Sequence, residues 1–464
     1  MGKLPKIVGT QKSEFDKLLK QEKSGISSSG FARLIPDKTG DEMALTSIIL
    51  SAFRLVKEFR QQILFSDIKL KRGEMFCYTE VAFSAFKETI KGKEQNSRID
   101  GLVIVVNRGG KIIDAAFFEM KSGGNTIEEE QIKQYMHIAR LCNVEKMITV
   151  SNEFVQEPVQ TPLNIKIPKD IKLYHLSWTY IRTVASILLF KNDEKGKEKK
   201  RIDDDDQIEI MKEVVTYLDS SNSGVCGFSI MRDGWKKVID AIQKDTPLVK
   251  SNPNFQETIV SWLQEEKDMA LILSRETGVL VQLNKKRATR EYHTETLVKH
   301  KQLTSFLSVK NTVSDIMITV DLNGEKVKMS IKTNVRPSKT LRGRLGGVKT
   351  QISNALNSLE KADSNKSKSL SKFLRENLHI TIDIKNFRSS PLGKAFDDFD
   401  EIYELNELKG KEIRGFYISL TKKISFGRKK FIEEIEKMLV EFYGGIVQNI
   451  KNWEQEAPKV RVDQ

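Results

Sequence analysis

The chain predicts an α/β protein of two domains, with an α/β core in the N-terminal half and a second, α+β domain after it. Three observations carry that expectation. At 464 residues, with hydrophobic residues at 39% and charged residues at 30%, the chain is too long for one typical domain and apolar enough to build real cores. Along the first half the hydrophobic period switches from the 3.6 of helices to the 2 of strands and back. Between the halves, residues 191–206 read KNDEKGKEKKRIDDDD, a charged run with almost nothing to bury, as an exposed linker has.

Residues 1–42 are polar and include SGISSSG, so a frayed or loosely docked start is expected. Over 43–63 apolar side chains recur at three and four, as in an amphipathic helix, and a second helix containing Glu80 is expected over 76–90. The run Gly101–Asn107 (GLVIVVN) is a buried strand, NRGGK a turn, and Ile112–Glu119 the returning strand. Ser-Gly-Gly-Asn breaks that strand. Thr126-Ile-Glu-Glu129 then matches a capping box and opens a helix to about Leu141, followed by the strand Lys146–Ser151. Beyond the charged run, 207–219 and 254–275 read as helices, Val313–Val320 and Val327–Thr333 as a hairpin around Asn323-Gly324, SNKSKSLS (364–371) as a loop, and about 430–450 as a closing helix.

Composition removes several chemistries. Cys77, Cys142 and Cys226 are far apart and the five histidines include no HExxH pair, so neither a thiolate zinc knuckle nor a histidine metal site is expected. No apolar run approaches membrane-span length, which predicts a soluble, cytoplasmic protein with no membrane partner. The formal charge is +14, and Lys332, Arg336, Lys339, Arg342, Arg344 and Lys349 fall in one stretch without an acid. One-sided clustering of this kind suits a polyanion, nucleic acid first and an acidic membrane surface second.

The acids of the first half have a definite pattern. Asp100 stands at the mouth of one strand and Glu119-Met120-Lys121 ends the next, with 18 residues between the two acids. Because strand side chains alternate, Glu119 and Lys121 share a face about 6.6 Å apart, and the hairpin can bring Asp100 to them. Two carboxylates without histidine or thiolate select a hard ion, Mg²⁺ or Mn²⁺, which neutralises a phosphodiester oxygen and activates water. Lys121 can orient or deprotonate that water and balance charge in the transition state. Phosphodiester hydrolysis needs these parts.

This arrangement resembles the PD-(D/E)XK nuclease superfamily, with Asp100 as the motif acid and Glu119-Met120-Lys121 as the ExK. Glu80 precedes them where many members supply an additional metal-site carboxylate. Gln131 and Tyr135 form a Q-x-x-x-Y similar to the RecB-type branch, on one helix face directed to substrate. The resemblance covers roughly residues 75–155, and Arg98-Ile99 stand where the motif carries its proline. It implies a restriction-endonuclease-like mixed sheet over 43–190, metal on Asp100, Glu119 and Glu80, and Mg²⁺-dependent endonucleolytic cleavage of DNA. A restriction or antiphage role follows by analogy.

In the second half, Asp315, Ser330 and Lys332 repeat the spacing with Ser330 where the second acid belongs, unless another such as Glu295 folds in. A second active site at Asp315 and Lys332, a degenerate nuclease fold that binds DNA, and an unrelated hairpin all fit. Glycines and Pro337 make 334–347 a loop whose Arg336, Lys339, Arg342 and Arg344 could grip phosphates or a groove. Lys422, Lys423, Arg428, Lys429 and Lys430 form a second basic patch. The whole of 207–464 is thus expected to engage DNA. A non-catalytic nucleic-acid-binding protein is the reading from another class. Cutting both strands with one site per chain calls for a homodimer, and no interface is legible.

Overall fold

The computed structural model describes residues 6–20, 25–27, 30–31, 34, 42–90, 93–190, 192–194, 197–199, 201–362, 364–385, 392–404, 408 and 410–453. It divides into two compact units, Met1–Phe228 and Ser229–Gln464.

The first unit runs α1 (Lys12–Lys20), β1 (Gly30–Phe31), α2 (Glu42–Leu55), α3 (Lys57–Arg60), β2 (Glu74–Ile90), β3 (Lys93–Val106), β4 (Ile112–Met120), α4 (Glu129–Leu141), β5 (Lys146–Ser151), β6 (Lys172–Ser177), α5 (Trp178–Leu189), β7 (Asn192–Glu194), β8 (Lys197–Lys199) and α6 (Asp205–Asp219). Strands β1 to β6 lie side by side in chain order, antiparallel as far as β4 and parallel from β4 to β6. The change of direction is the α4 crossover, since parallel neighbours need a long return. Alternation then sorts the side chains. Val103, Val105, Phe118 and Met120 face α2, α5 and α6, while Leu102, Ile104, Ala115 and Phe117 face α1 and α4. Each fully buried Phe of these layers contributes about 1.5–3 kcal/mol of transfer free energy.

Several expectations change here. Residues 74–90 are strand, not helix: Val81 and Phe83 are buried while Ala82 and Ser84 are more exposed, a period of two that pairing with β3 enforces. Asp100 lies inside β3 rather than at its mouth. No capping box forms, because Glu129 accepts instead from the Asn164 amide and α4 begins two residues later than expected. The N-terminal segment is docked where it is described. Phe15 of α1 is fully buried, edge-on to Tyr78, and Ile7 donates to the Cys142 carbonyl. Most of 21–41 lies outside the described residues.

The boundary also falls later than the charged run. Met211, Val214 and Leu218 of α6 are buried in the first unit's core, so the chain returns to that unit after 191–206. Parts of that run are the two-stranded ribbon β7–β8, and 191, 195–196 and 200 lie outside the described residues.

The second unit runs α7 (Gly234–Gln243), α8 (Pro253–Thr277), β9 (Gln282–Leu283), α9 (Arg290–His300), β10 (Gln302–Ser308), β11 (Ile316–Asp321), β12 (Lys326–Thr333), α10 (Leu341–Lys361), α11 (Asn365–Asn377), β13 (Leu378–Ile384), β14 (Gly393–Ala395), β15 (Ile413–Lys423) and α12 (Arg428–Gly445). Its sheet, in the order β14-β13-β15-β12-β11-β10-β9, is antiparallel at every pairing. It therefore has no parallel crossover like that of the first unit, and its architecture is α+β. The stretch 364–371, expected as a loop, is the start of α11, which buries Ser371 and Leu374. Among the described residues no helix is long and apolar enough to cross a membrane.

Candidate active site

Three adjacent strands align the acids. The register that pairs Gly101 with Phe118 sets Asp100 opposite Glu119, and the pairs Thr79–Gly101 and Val81–Ile99 set Glu80 across from Asp100 on the other side. The turn that makes this possible is built by Asn107, whose Oδ1 accepts from the amides of Gly109 and Lys111, with Gly110 at φ +76°. Glu119 is fully buried, and its Oε1 lies 2.6 Å from Lys121 Nζ. Asp100 Oδ2 accepts from the Met120 amide at 2.7 Å. Lys121 is held at its backbone: its amide donates to the Val150 carbonyl and its carbonyl accepts from Trp178 Nε1 at 2.7 Å.

These groups line a polar cavity of about 680 Å³ together with Glu42, Glu80 and Arg98, and Gln131 and Tyr135 form its α4 side. Glu42 is the residue that sequence reasoning missed. It sits at the start of α2, accepts from the Ser122 amide (3.0 Å) and Asn125 Nδ2 (2.7 Å), and its Oε2 is 3.9 Å from Lys121 Nζ. Nothing local marks it, since an acid in the first turn of a helix is favourable for the dipole alone.

Glu80 departs from expectation in two ways. It is on a strand, with φ +53°, a left-handed backbone that non-glycine residues seldom adopt. Its Oε2 is paired with Arg98 Nη1 at 2.8 Å rather than turned wholly to the other acids. Gln131 and Tyr135 do share a helix face, Gln131 Nε2 donating to Tyr135 Oη at 2.8 Å, but Tyr135 is fully buried and donates to the Arg98 carbonyl at 2.6 Å. The pair locks α4 to β3 beside the acids. Asp114 points elsewhere, in a buried pair with Lys146 at 2.9 Å.

Electrostatics follow from the crowding. Burial pushes the Asp100 carboxyl up to about 6; Lys121 and the Met120 amide oppose that, while Glu80 and Glu42 add to it. Burial by itself would lower the Lys121 ammonium, but Glu119, Asp100 and Glu42 outweigh it and hold the group above its usual range. Held protonated in this way, Lys121 is a poor proton acceptor in this arrangement.

Among the described residues, no three His, Cys, Asp or Glu groups converge closely enough to hold a metal by themselves. The donor set still fits a hard ion of the Mg²⁺ class, which usually takes one or two carboxylates and fills its other positions with water and substrate phosphate. Asp100 and Glu119 are the two carboxylates that would hold such an ion, on one face at the wall of a polar cavity.

In the second unit the expected residues are only partly gathered. Ser330 is buried within β12, and Asp315 is exposed, one residue before β11. Lys332 Nζ pairs with Asp383 Oδ2 of β13 at 2.5 Å and lies 5.3 Å over the Tyr417 ring. The second acid at this lysine is therefore Asp383, not Glu295. Of the basic stretch, Arg336 and Lys339 are in the loop, with the Arg336 guanidinium 5.3 Å over the Trp453 indole. Arg342 and Arg344 are not in a loop: Thr340 accepts from the Gly343 amide and starts α10 there. Gly347 on that helix lets Arg336 approach, since a Cβ would stand 3.0 Å from that of Arg336. Four residues of the second basic patch are paired with three acids, Lys422 and Lys430 with Glu434, Lys429 with Glu433 and Arg428 with Asp233.

Comparison with protein-family models, curated proteins and solved structures finds no match to this chain.

Proposed function

We propose that the first unit is a divalent-metal-dependent nuclease of the PD-(D/E)XK type, cutting DNA phosphodiester bonds internally, and that the second unit engages the nucleic acid. The observation that carries this reading is the opposition of Asp100 and Glu119 across β3 and β4, with Lys121 Nζ 2.6 Å from Glu119 at the wall of a polar cavity. Asp100 and Glu119 would hold Mg²⁺ or Mn²⁺. Bound there, the ion supplies charge to a phosphodiester oxygen and lowers the pKa of a coordinated water. Lys121 orients the attacking water and neutralises charge that develops on the phosphoryl oxygens. Glu42 holds the Ser122–Asn125 turn, and Tyr135 fixes the backbone two residues before Asp100.

Arg336, Lys339, Arg342 and Arg344, around the start of α10, suit phosphate contact, where the helix N-terminus adds its own positive end. Separate housing of cutting and recognition fits a restriction or antiphage enzyme by analogy, and cutting both strands calls for a homodimer. The test is Mg²⁺-dependent cleavage of plasmid and single-stranded DNA by the wild type, Lys121→Ala and Lys332→Ala. Loss confined to Lys121→Ala supports this reading. Loss confined to Lys332→Ala moves the chemistry to the second unit, and an inert wild type that binds DNA favours a non-catalytic binding protein.

A further inference from the structure

We infer that Arg98 and Glu80 form a substrate-released latch, in which Arg98 keeps Glu80 from the metal site until a phosphate of the nucleic acid takes the guanidinium. The inference rests on the nuclease reading above and goes beyond it.

Three observations point to it. Glu80 is placed against Asp100 by a left-handed backbone at φ +53°, a strained conformation that persists only where the surroundings enforce it. The flanking pairs Thr79–Gly101 and Val81–Ile99 are the surroundings that enforce it here. Second, the Glu80 carboxylate, only 11% exposed, is held at 2.8 Å by Arg98, whose side chain is 54% exposed. The cation of the pair can therefore reach an incoming ligand while the anion stays at the cavity wall. Third, both residues line the same cavity as Asp100, Glu119 and Lys121.

Charge accounts for the exchange. The planar guanidinium fork of Arg98 matches phosphate geometry, so a backbone phosphate at the cavity mouth is a better partner than a single carboxylate oxygen. Once Arg98 turns to phosphate, Glu80 Oε2 loses that countercharge beside Asp100 and Glu119, and three crowded carboxylates favour a divalent cation. Nucleic acid and metal then bind cooperatively, and the coupling is reciprocal.

The test is Mn²⁺ binding, by calorimetry and electron paramagnetic resonance, to the full chain without DNA. Arg98→Ala is expected to bind Mn²⁺ more tightly than wild type by about tenfold, equivalent to about 1.4 kcal/mol. That gain should vanish in an Arg98→Ala/Glu80→Gln double variant compared with Glu80→Gln alone. Persistence of the full gain in the double variant would show a general charge effect and overturn the latch. Equal affinities for wild type and Arg98→Ala, with binding still lost in Asp100→Asn, would overturn the latch and leave the nuclease reading standing. Absence of Mn²⁺ binding in wild type and Arg98→Ala alike would overturn both.

Discussion

Asp100 and Glu119 face one another across β3 and β4, and the amide that follows Glu119, that of Met120, donates to Asp100 Oδ2 at 2.7 Å. One acid is thus held by the backbone of the strand that carries the other. Their separation is set by the sheet rather than by flexible side chains, which is the rigidity that a two-carboxylate site requires.

The elevated Asp100 carboxyl gives a pH dependence. With a folded value of about 6 against an ordinary 3.8, the native protein holds this proton more tightly than the unfolded chain. Its contribution to stability is complete below about 3.8 and is lost as pH rises through about 6. On the proposed nuclease reading metal needs the ionised form, so Mn²⁺ affinity should rise over that window and level off above it. A calorimetric series from pH 5 to 8 checks this, and a flat profile would sink it.

Glu42 ties the Ser122–Asn125 turn to α2 and lies within 3.9 Å of Lys121. Glu42→Ala should reduce cleavage by about 10–100-fold, the usual effect of removing a group that orients a reacting side chain. Circular dichroism should remain that of the wild type.

Tyr135→Phe removes the bond to the Arg98 carbonyl and the acceptor of Gln131. The expected cost is about 0.5–1.5 kcal/mol, the net contribution of one hydrogen bond. Urea denaturation of the full chain measures it, and a shift within error would mean that water replaces the hydroxyl.

Lys332→Ala and Asp383→Ala should leave cleavage unchanged and weaken only the pairing between β12 and β13. Steady-state cleavage rates are the check. A loss of more than tenfold in either would contradict the placement of the chemistry in the first unit.

The second unit carries its own acid cluster, where α8 packs on α12. Glu436 is pushed up to about 8 by burial, then by Asp268 against the pull of Arg275, with Glu433 adding to the rise. Burial, Glu436 and Asp268 also raise the fully buried Glu265. Folded values above the unfolded ones mean stability that is complete below about 4.5 and declines as pH rises to about 8. Thermal melts should show a falling Tm across that range. Glu436→Gln should flatten the fall, and an unchanged slope would place its origin elsewhere.

Local patterning determined much of this protein. The apolar runs around Asn107–Lys111 specify a hairpin whatever surrounds them, and once the turn sets the register, Asp100 and Glu119 must meet. The helix over 43–63 was legible for the same reason, although the chain breaks at Val56, where φ −105° and ψ 109° leave the helical region. The strand over 74–90 was not, because aromatic, alanine and charged residues there satisfy both periods and only pairing with β3 decides between them. The remaining features join residues far apart in the chain. Glu42 reaches the turn at Ser122, Tyr135 reaches Arg98, α6 returns to the first core beyond the charged run, and Asp383 meets Lys332. A sequence records short-range periodicity directly. Contacts between distant segments appear only when the whole sheet has formed and its faces have been covered.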